Sequence, residues 1–128
     1  MTQRHVLPWP PSVNSYWRHV VIGRSVRTIT SKAGREYRDQ VVRLLDGELQ
    51  YSEDARLVAT LWVYPPDRRR RDLDNLPKAV LDAVEAAGVI ADDSQIDELH
   101  VVRCPVISGG RVVVEIRLKH LQPGGGGE

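Results

Sequence analysis

Residues 68–78 read Arg-Arg-Arg-Arg-Asp-Leu-Asp-Asn-Leu-Pro-Lys, and residues 92–98 read Asp-Asp-Ser-Gln-Ile-Asp-Glu. Asp72 and Asp74 stand two apart in what reads as an extended approach to a helix, where period-two geometry puts both carboxylates on one side. Asp93 follows one helix and one turn later, so a chain that doubles back can return it to the same place. Three carboxylates without nitrogen or sulfur donors make a hard-oxygen site, which selects Mg²⁺ or Mn²⁺ over zinc. Left without a cation, they would repel and raise one another's pKa. A divalent ion there could polarise a phosphoryl oxygen, activate a water and stabilise a departing oxygen. Lys78, one turn beyond Asp74, can reach the same pocket and steady the charge that builds on a phosphate. Arg68, Arg69, Arg70 and Arg71 make an acidic pocket hospitable to a phosphodiester.

Each piece alone has a plainer reading. A single Asp-x-Asp is commonly a solvated loop, and Asp74 can cap a helix. Asp92-Asp93 reads as a turn, Lys78 as a surface lysine paired with Asp82, and an arginine run as a surface patch. Trp17 beside Arg18 could stack on a base, although three Trp and no Phe read first as core or interface content. The conjunction of basic run, paired acids, lysine and second acidic segment within residues 68–98 is what favours chemistry.

Composition narrows the class. The chain has 128 residues, 41% hydrophobic and 27% charged, enough for one domain with one modest core. No stretch approaches the roughly 18 apolar residues of a membrane helix, and residues 1–11 lack a signal-peptide apolar region. A single cysteine, Cys104, leaves no internal disulfide, and His5, His19, His100 and His120 lack zinc-ligand spacing. A cytoplasmic protein with no membrane association is the expectation. The net charge of +1 is unevenly placed: residues 1–43 hold eight Lys/Arg against two Asp/Glu, and the remainder ten against fifteen. Arginine outnumbers lysine fifteen to three, which suits a phosphate-rich partner.

The elements that must carry these residues follow from periodicity. Residues 16–22 and 25–29 around Gly23-Arg24 predict a hairpin. Ser31 caps a helix to about Leu45, with Tyr37, Val41, Leu44 and Leu45 inward and Gly47 ending it. In residues 55–64, Leu57, Ala59, Leu61 and Val63 share one strand face, and Pro65-Pro66 stops it. Asp74 is placed as cap of a second helix, with Pro77 in its first turn, a stripe of Leu76, Val80, Ala83, Val84 and Ala87, and Gly88 at its end. Residues 99–107 and 111–118 predict a closing hairpin. The order ββ-α-β-α-ββ gives an α+β domain, a small mixed β-sheet with two main helices packed on it, over residues 1–122. Residues 123–128 read as a flexible Gly-rich tail.

Residues 66–75 with Lys78, Ala87-Gly88 and 92–96 resemble the RusA-type Holliday junction resolvases. Residues 7–14 are similar to that family's N-terminal signature, residues 31–38 to its first helix, and Pro105-Val106 with residues 109–111 to its closing hairpin. The resemblance spans nearly the whole chain. It implies a small homodimeric endonuclease that binds four-way branched DNA and cuts two opposed strands symmetrically, with a preference for CC dinucleotides. It needs Mg²⁺, for which Mn²⁺ substitutes, and no small-molecule cofactor. The family's three essential aspartates fall on Asp72, Asp74 and Asp93 as metal ligands, and its functional lysine on Lys78. DNA contacts are expected from Arg68, Arg69, Arg70, Arg71 and Lys78, with Asn14, Arg27 and Arg35 from the basic N-terminal part. Symmetry supports a dimer, because a two-fold pair of subunits presents one acidic site to each opposed strand of a two-fold junction. The alternatives are a non-catalytic junction-binding protein and a Toprim-like nuclease. The latter needs an Asp-x-Asp at the end of an apolar strand, whereas Pro65-Pro66 and Arg71 precede it here.

Overall fold

The structure is a computed structural model that describes residues 2–45 and 51–120, apart from the side chains of residues 13 and 14. Its elements are β1 (Thr2–Leu7), α1 (Val13–Tyr16), β2 (Trp17–Ile22), β3 (Ser25–Thr30), α2 (Lys32–Leu45), β4 (Leu57–Tyr64), α3 (Pro77–Ala86), β5 (Ile96–Arg103) and β6 (Arg111–Leu118). Short 3₁₀ turns at Leu73–Asn75 and Asp93–Gln95 flank α3. Two main helices on a small mixed sheet make the α+β domain expected. Gly47 and the Gly-rich tail lie outside the described residues.

Apolarity decides the order of the sheet. β4 buries Leu57, Val58, Ala59, Leu61 and Val63, so it takes an inner position in the order β1-β6-β4-β5. It runs antiparallel to β6 and parallel to β5. The closing hairpin expected from residues 99–107 and 111–118 therefore does not form as a paired ladder. β5, polar at Asp97, Glu98 and His100, takes the edge instead, as charged strands do. Residues 104–110 bridge the two inter-strand spacings across β4, about 9.5 Å, with ease. A parallel β4–β5 pair needs a crossover, and α3 supplies it. β1, not anticipated from the sequence, adds to the other edge by pairing Thr2–Leu7 with β6, and Pro8 ends it. Among the described residues, no helix is long and apolar enough to cross a membrane.

Ser31 caps α2, its hydroxyl accepting the Gly34 N–H at 3.0 Å. Tyr37 and Val41 are buried, but Leu44 is 56% exposed and Leu45 takes its place against the core. Gly34 answers a close approach: a Cβ there would lie 2.5 Å from the Tyr16 carbonyl. That contact seats the root of the β2–β3 hairpin against α2. On α3 the whole expected stripe of Leu76, Val80, Ala83, Val84 and Ala87 is buried, and α3 packs on α2. Gly88, at φ 83°, reverses the chain after it.

Candidate active site

The segment before α3 coils rather than extends. Asp72 has extended backbone (φ −87°, ψ 136°), but Leu73–Asn75 closes a 3₁₀ turn, so Asp72 and Asp74 do not share one side. Asp74 does not cap α3 either; Leu76 holds that position, with Pro77 at the start of the helix. The Asp74 carboxylate consequently takes no hydrogen bond or ion pair among the described residues, and it is exposed.

An open hollow of about 580 Å³ lies between α3 and edge strand β5. Asp74, Lys78 and Asp93 line it together with Leu73, Pro77, Leu81, Leu99 and Val101. One helix and one reversal of the chain thus bring three of the four residues expected to act together to a common wall. Asp72 faces a second hollow of about 550 Å³, which it lines with Trp9, Ser12, Arg70, Arg71, Asn75 and Leu76.

Lys78 is not paired with Asp82 as its helical spacing suggests. The Asp82 carboxylate accepts the Tyr16 hydroxyl and lies 3.6 Å from Arg38. The Lys78 ammonium sits instead 5.6 Å from the centroid of the Trp17 ring, in cation–π range. Trp17 packs edge-on against Tyr16 at 4.6 Å, and its indole N–H is buried without a partner among the described residues. Trp17 thus serves as a platform for the lysine.

Asp93 is held by its turn. Its N–H donates to Glu85 Oε1 at 2.8 Å, and the neighbouring Ser94 N–H donates to the Asp92 carboxylate at 2.8 Å. Gln95, buried, spends every polar atom of its side chain. Its Oε1 accepts the Ala91 and Asp92 N–H groups at 2.8 and 3.2 Å, and its Nε2 donates to the Ser52 and Ala55 carbonyls at 2.8 and 3.0 Å. Carboxylate oxygens of Glu85, Asp92 and Asp93 lie within 4.8 Å of one another. Burial, together with the charges of Asp93, Asp92 and Asp82, pushes the Glu85 carboxyl up against the opposing pull of the Asp93 N–H. The Ser94 backbone and hydroxyl hold Asp92 low. Glu85 does not stand out in the sequence. Its signal was its place in the last turn of a helix ended by a reversing glycine, which returns the Asp92-Asp93 pair to that turn.

The expected cations divide. Arg68, Arg69 and Arg70 are exposed. Arg71 is folded inward, 2.8 Å from the Asp67 carboxylate and 5.6 Å from the Trp9 ring centroid, and its carbonyl accepts from Arg103 at 2.8 Å. Asp67 is held below its ordinary value chiefly by that Arg71 contact. Arg27 is exposed on β3; Arg35 is exposed on α2 and donates to the Thr30 carbonyl at 2.9 Å. The Asn14 side chain lies outside the described residues.

Two observations suit a hard divalent cation: the Glu85, Asp92 and Asp93 oxygens crowd like charges that an ion would relieve, and Asp74, on the same hollow wall as Asp93, has no hydrogen-bond or ion-pair partner among the described residues. A hollow with two carboxylates and a lysine at its wall, and a second one lined by Arg70 and Arg71, suit a metal-assisted reaction on a phosphate group. Comparison with known proteins gives the family. The model of the family Endodeoxyribonuclease RusA matches residues 8–117. The chain is 43% identical over 118 residues to the crossover junction endodeoxyribonuclease rusA of Enterobacteria phage 82, covering 91% of this chain and 95% of that one. It is also 43% identical over 111 residues to the crossover junction endodeoxyribonuclease RusA of Escherichia coli (strain K12) and to that of Shigella sonnei, covering 86% of this chain and 89% of each relative. The chain belongs to the RusA endodeoxyribonuclease family.

Proposed function

We propose that this protein is a structure-selective endodeoxyribonuclease that resolves four-way (Holliday) junctions by paired, symmetric phosphodiester cleavage. The observation that carries the reading is the meeting of Asp74, Lys78 and Asp93 in one hollow, in a chain 43% identical to crossover junction endodeoxyribonucleases. Asp74 and Asp93 would hold Mg²⁺, with Mn²⁺ able to substitute and Glu85 beside Asp93, and Asp72, which lines the neighbouring hollow, would join them through rearrangement of the Leu73–Asn75 turn. A divalent ion bound there supplies Lewis-acid polarisation of the phosphoryl group and a lowered pKa for a bound water.

The chain's own residues do the rest. Lys78, propped on Trp17, presents its ammonium to the scissile phosphate and offsets the negative charge that grows on its oxygens. The exposed Arg68, Arg69 and Arg70 bind flanking phosphates, while Arg71 shapes the loop that carries them. Leu73, Pro77, Leu81, Leu99 and Val101 line the open hollow with apolar surface beside its charged groups. The protein acts as a homodimer, so one two-fold complex offers a hollow to each of two opposed strands. It works in the cytoplasm, on branched DNA.

The test is cleavage of a mobile synthetic four-way junction with Mg²⁺ or with chelator, beside a linear duplex of the same sequence. Symmetric paired nicks in the junction that require the cation are expected. An uncut junction, or equal cutting of the duplex, refutes the proposal.

A further inference from the structure

The β2–β3 hairpin pairs with no strand of the main sheet. Its two six-residue strands run antiparallel from Trp17↔Thr30 at the root to Ile22↔Ser25 at the tip, where Gly23 (φ 63°) turns the chain. Five steps at about 3.4 Å carry the tip about 17 Å beyond Trp17. Val21 and Val26 are 70% and 68% exposed, opposite each other on one face, and Ile22 and Ile29 are exposed on the other. An isolated hairpin with apolar residues in water is a poor structure by itself, so its shape calls for a partner.

Charge says what the partner is. Residues 17–30 contain Arg18, Arg24, Arg27 and His19 and no Asp or Glu. A second copy of this arm would set like charges together, whereas a polyanion would be welcomed. Arg18, Arg27 and Ile22 lie on one face of the ribbon, while Val21 and Val26 share the other with Trp17 and His19. Trp17, at the root, touches Lys78 at the hollow. The arm therefore begins where the scissile phosphate is proposed to sit and reaches outward along the same substrate.

We propose that this hairpin is a branch-point arm: Arg18, Arg24 and Arg27 grip backbone phosphates, and the Val21–Val26 tip packs against base faces left unstacked where the four duplexes meet. Apolar wedges flanked by cations are a general means of holding a break in base stacking. Continuous duplex offers the arginines their phosphates but offers the tip no open base face, so the tip discriminates and the arginines do not. The inference rests on the junction-cleaving reading above.

The experiment compares the wild-type protein, Val21→Ser/Val26→Ser and Arg18→Gln/Arg27→Gln without divalent cations. It measures binding to a four-way junction and to linear duplex by fluorescence anisotropy, and reports base unstacking from 2-aminopurine at the branch. Melting temperatures confirm folding, which exposed positions should leave intact. The tip variant should lose about tenfold in junction affinity, keep its duplex affinity, and lose the 2-aminopurine rise. The arginine variant should weaken on both DNAs and lower the salt slope by about 1.8, at about 0.9 per phosphate contact. A tip variant with wild-type junction preference and an unchanged 2-aminopurine signal overturns the proposal. So does a change in its sedimentation, which would make the arm a contact between copies. If the wild-type protein binds junction and duplex equally, this inference falls, whereas the junction-cleaving reading stands or falls on the cleavage assay.

Discussion

Asp93 and Asp74 face one hollow from flanks that are held in opposite ways. On the Asp93 side, the buried Gln95 joins the turn to the chain before β4 by two hydrogen bonds and to its own approach at Ala91 and Asp92 by two more, Glu85 ties it to α3, and Arg56 donates to the Ser94 carbonyl at 2.7 Å. On the Asp74 side, the turn rests on long backbone bonds, 3.2 Å from the Asn75 N–H to the Asp72 carbonyl and 3.4 Å from the Leu76 N–H to that of Leu73. The difference teaches a division of labour. The stiff flank sets where the hollow is, and the loose flank is free to adjust its carboxylates and lysine to what binds. Amide exchange should reflect this, with faster exchange in residues 72–76 than in residues 92–96.

The largest expected effect breaks the loose flank chemically without touching its fold. Asp74→Asn should reduce junction cutting by more than about a hundredfold, because even partners one step removed from a metal cost about 10–100-fold. It should bind junctions as the wild type does, since the exposed arginines remain. Wild-type nicking in Mg²⁺ would remove Asp74 from the site.

Next comes the stiff flank. Gln95→Leu would strand two N–H groups and two carbonyls, and should cost about 2–4 kcal/mol, seen as a melting temperature lower by roughly 10 °C. Asn75→Ala on the loose flank should stay within about 0.5 kcal/mol. Equal losses would erase the contrast between the flanks.

A smaller effect locates Lys78. Trp17→Leu removes the ring face under the ammonium and should slow cutting about threefold to fivefold, the worth of an exposed cation–π contact. Trp17→Phe keeps a face, discards the unpartnered indole N–H and should cut nearly as well. In a Lys78→Met background, Trp17→Leu should add nothing; additive losses would show that Trp17 does not act through the lysine.

The contrast also explains which parts were legible in the sequence. The α3 stripe and the β4 alternation were plain, because burial on one face imposes a strict period on the side chains. The partners of β5 and β6 were not: a short link between two strands looks like a hairpin whether or not a third strand lies between them. β1 was hidden because its alternation is carried by Gln3, Arg4 and His5, with apolar weight only at its end. At the site, residue types and spacing pointed to Asp74, Lys78 and Asp93. The spacing of Asp72 and Asp74 gives a common side only on a strand, and a 3₁₀ turn forms there instead. Trp17 and Glu85 come from elsewhere in the chain or from across a reversal, and neither neighbourhood can be read along one dimension.

The smallest effect tests what braces the stiff flank from outside. Asp97 takes the Arg56 Nε–H at 2.9 Å and lies 3.4 Å from Lys119, and Arg56 is the same residue that binds the Ser94 carbonyl. The Arg56 contact foremost holds the Asp97 carboxyl below its ordinary 3.8; burial opposes it, and Lys119 adds a smaller lowering. A carboxylate depressed in the folded state contributes stability that is present above its unfolded pKa and is lost as pH falls through the folded one. The contribution should therefore be level from neutrality to about pH 5 and fade only below about pH 4. Asp97→Asn should lower the melting temperature slightly at neutral pH, with the gap to the wild type closing near pH 2. Because the brace is exposed, the gap should also shrink in high salt, as a charge effect does and a packing effect does not. A gap that persists in acid and in salt would mean that Asp97 holds the turn by shape, and that the stiffness beside Asp93 does not depend on ionisation.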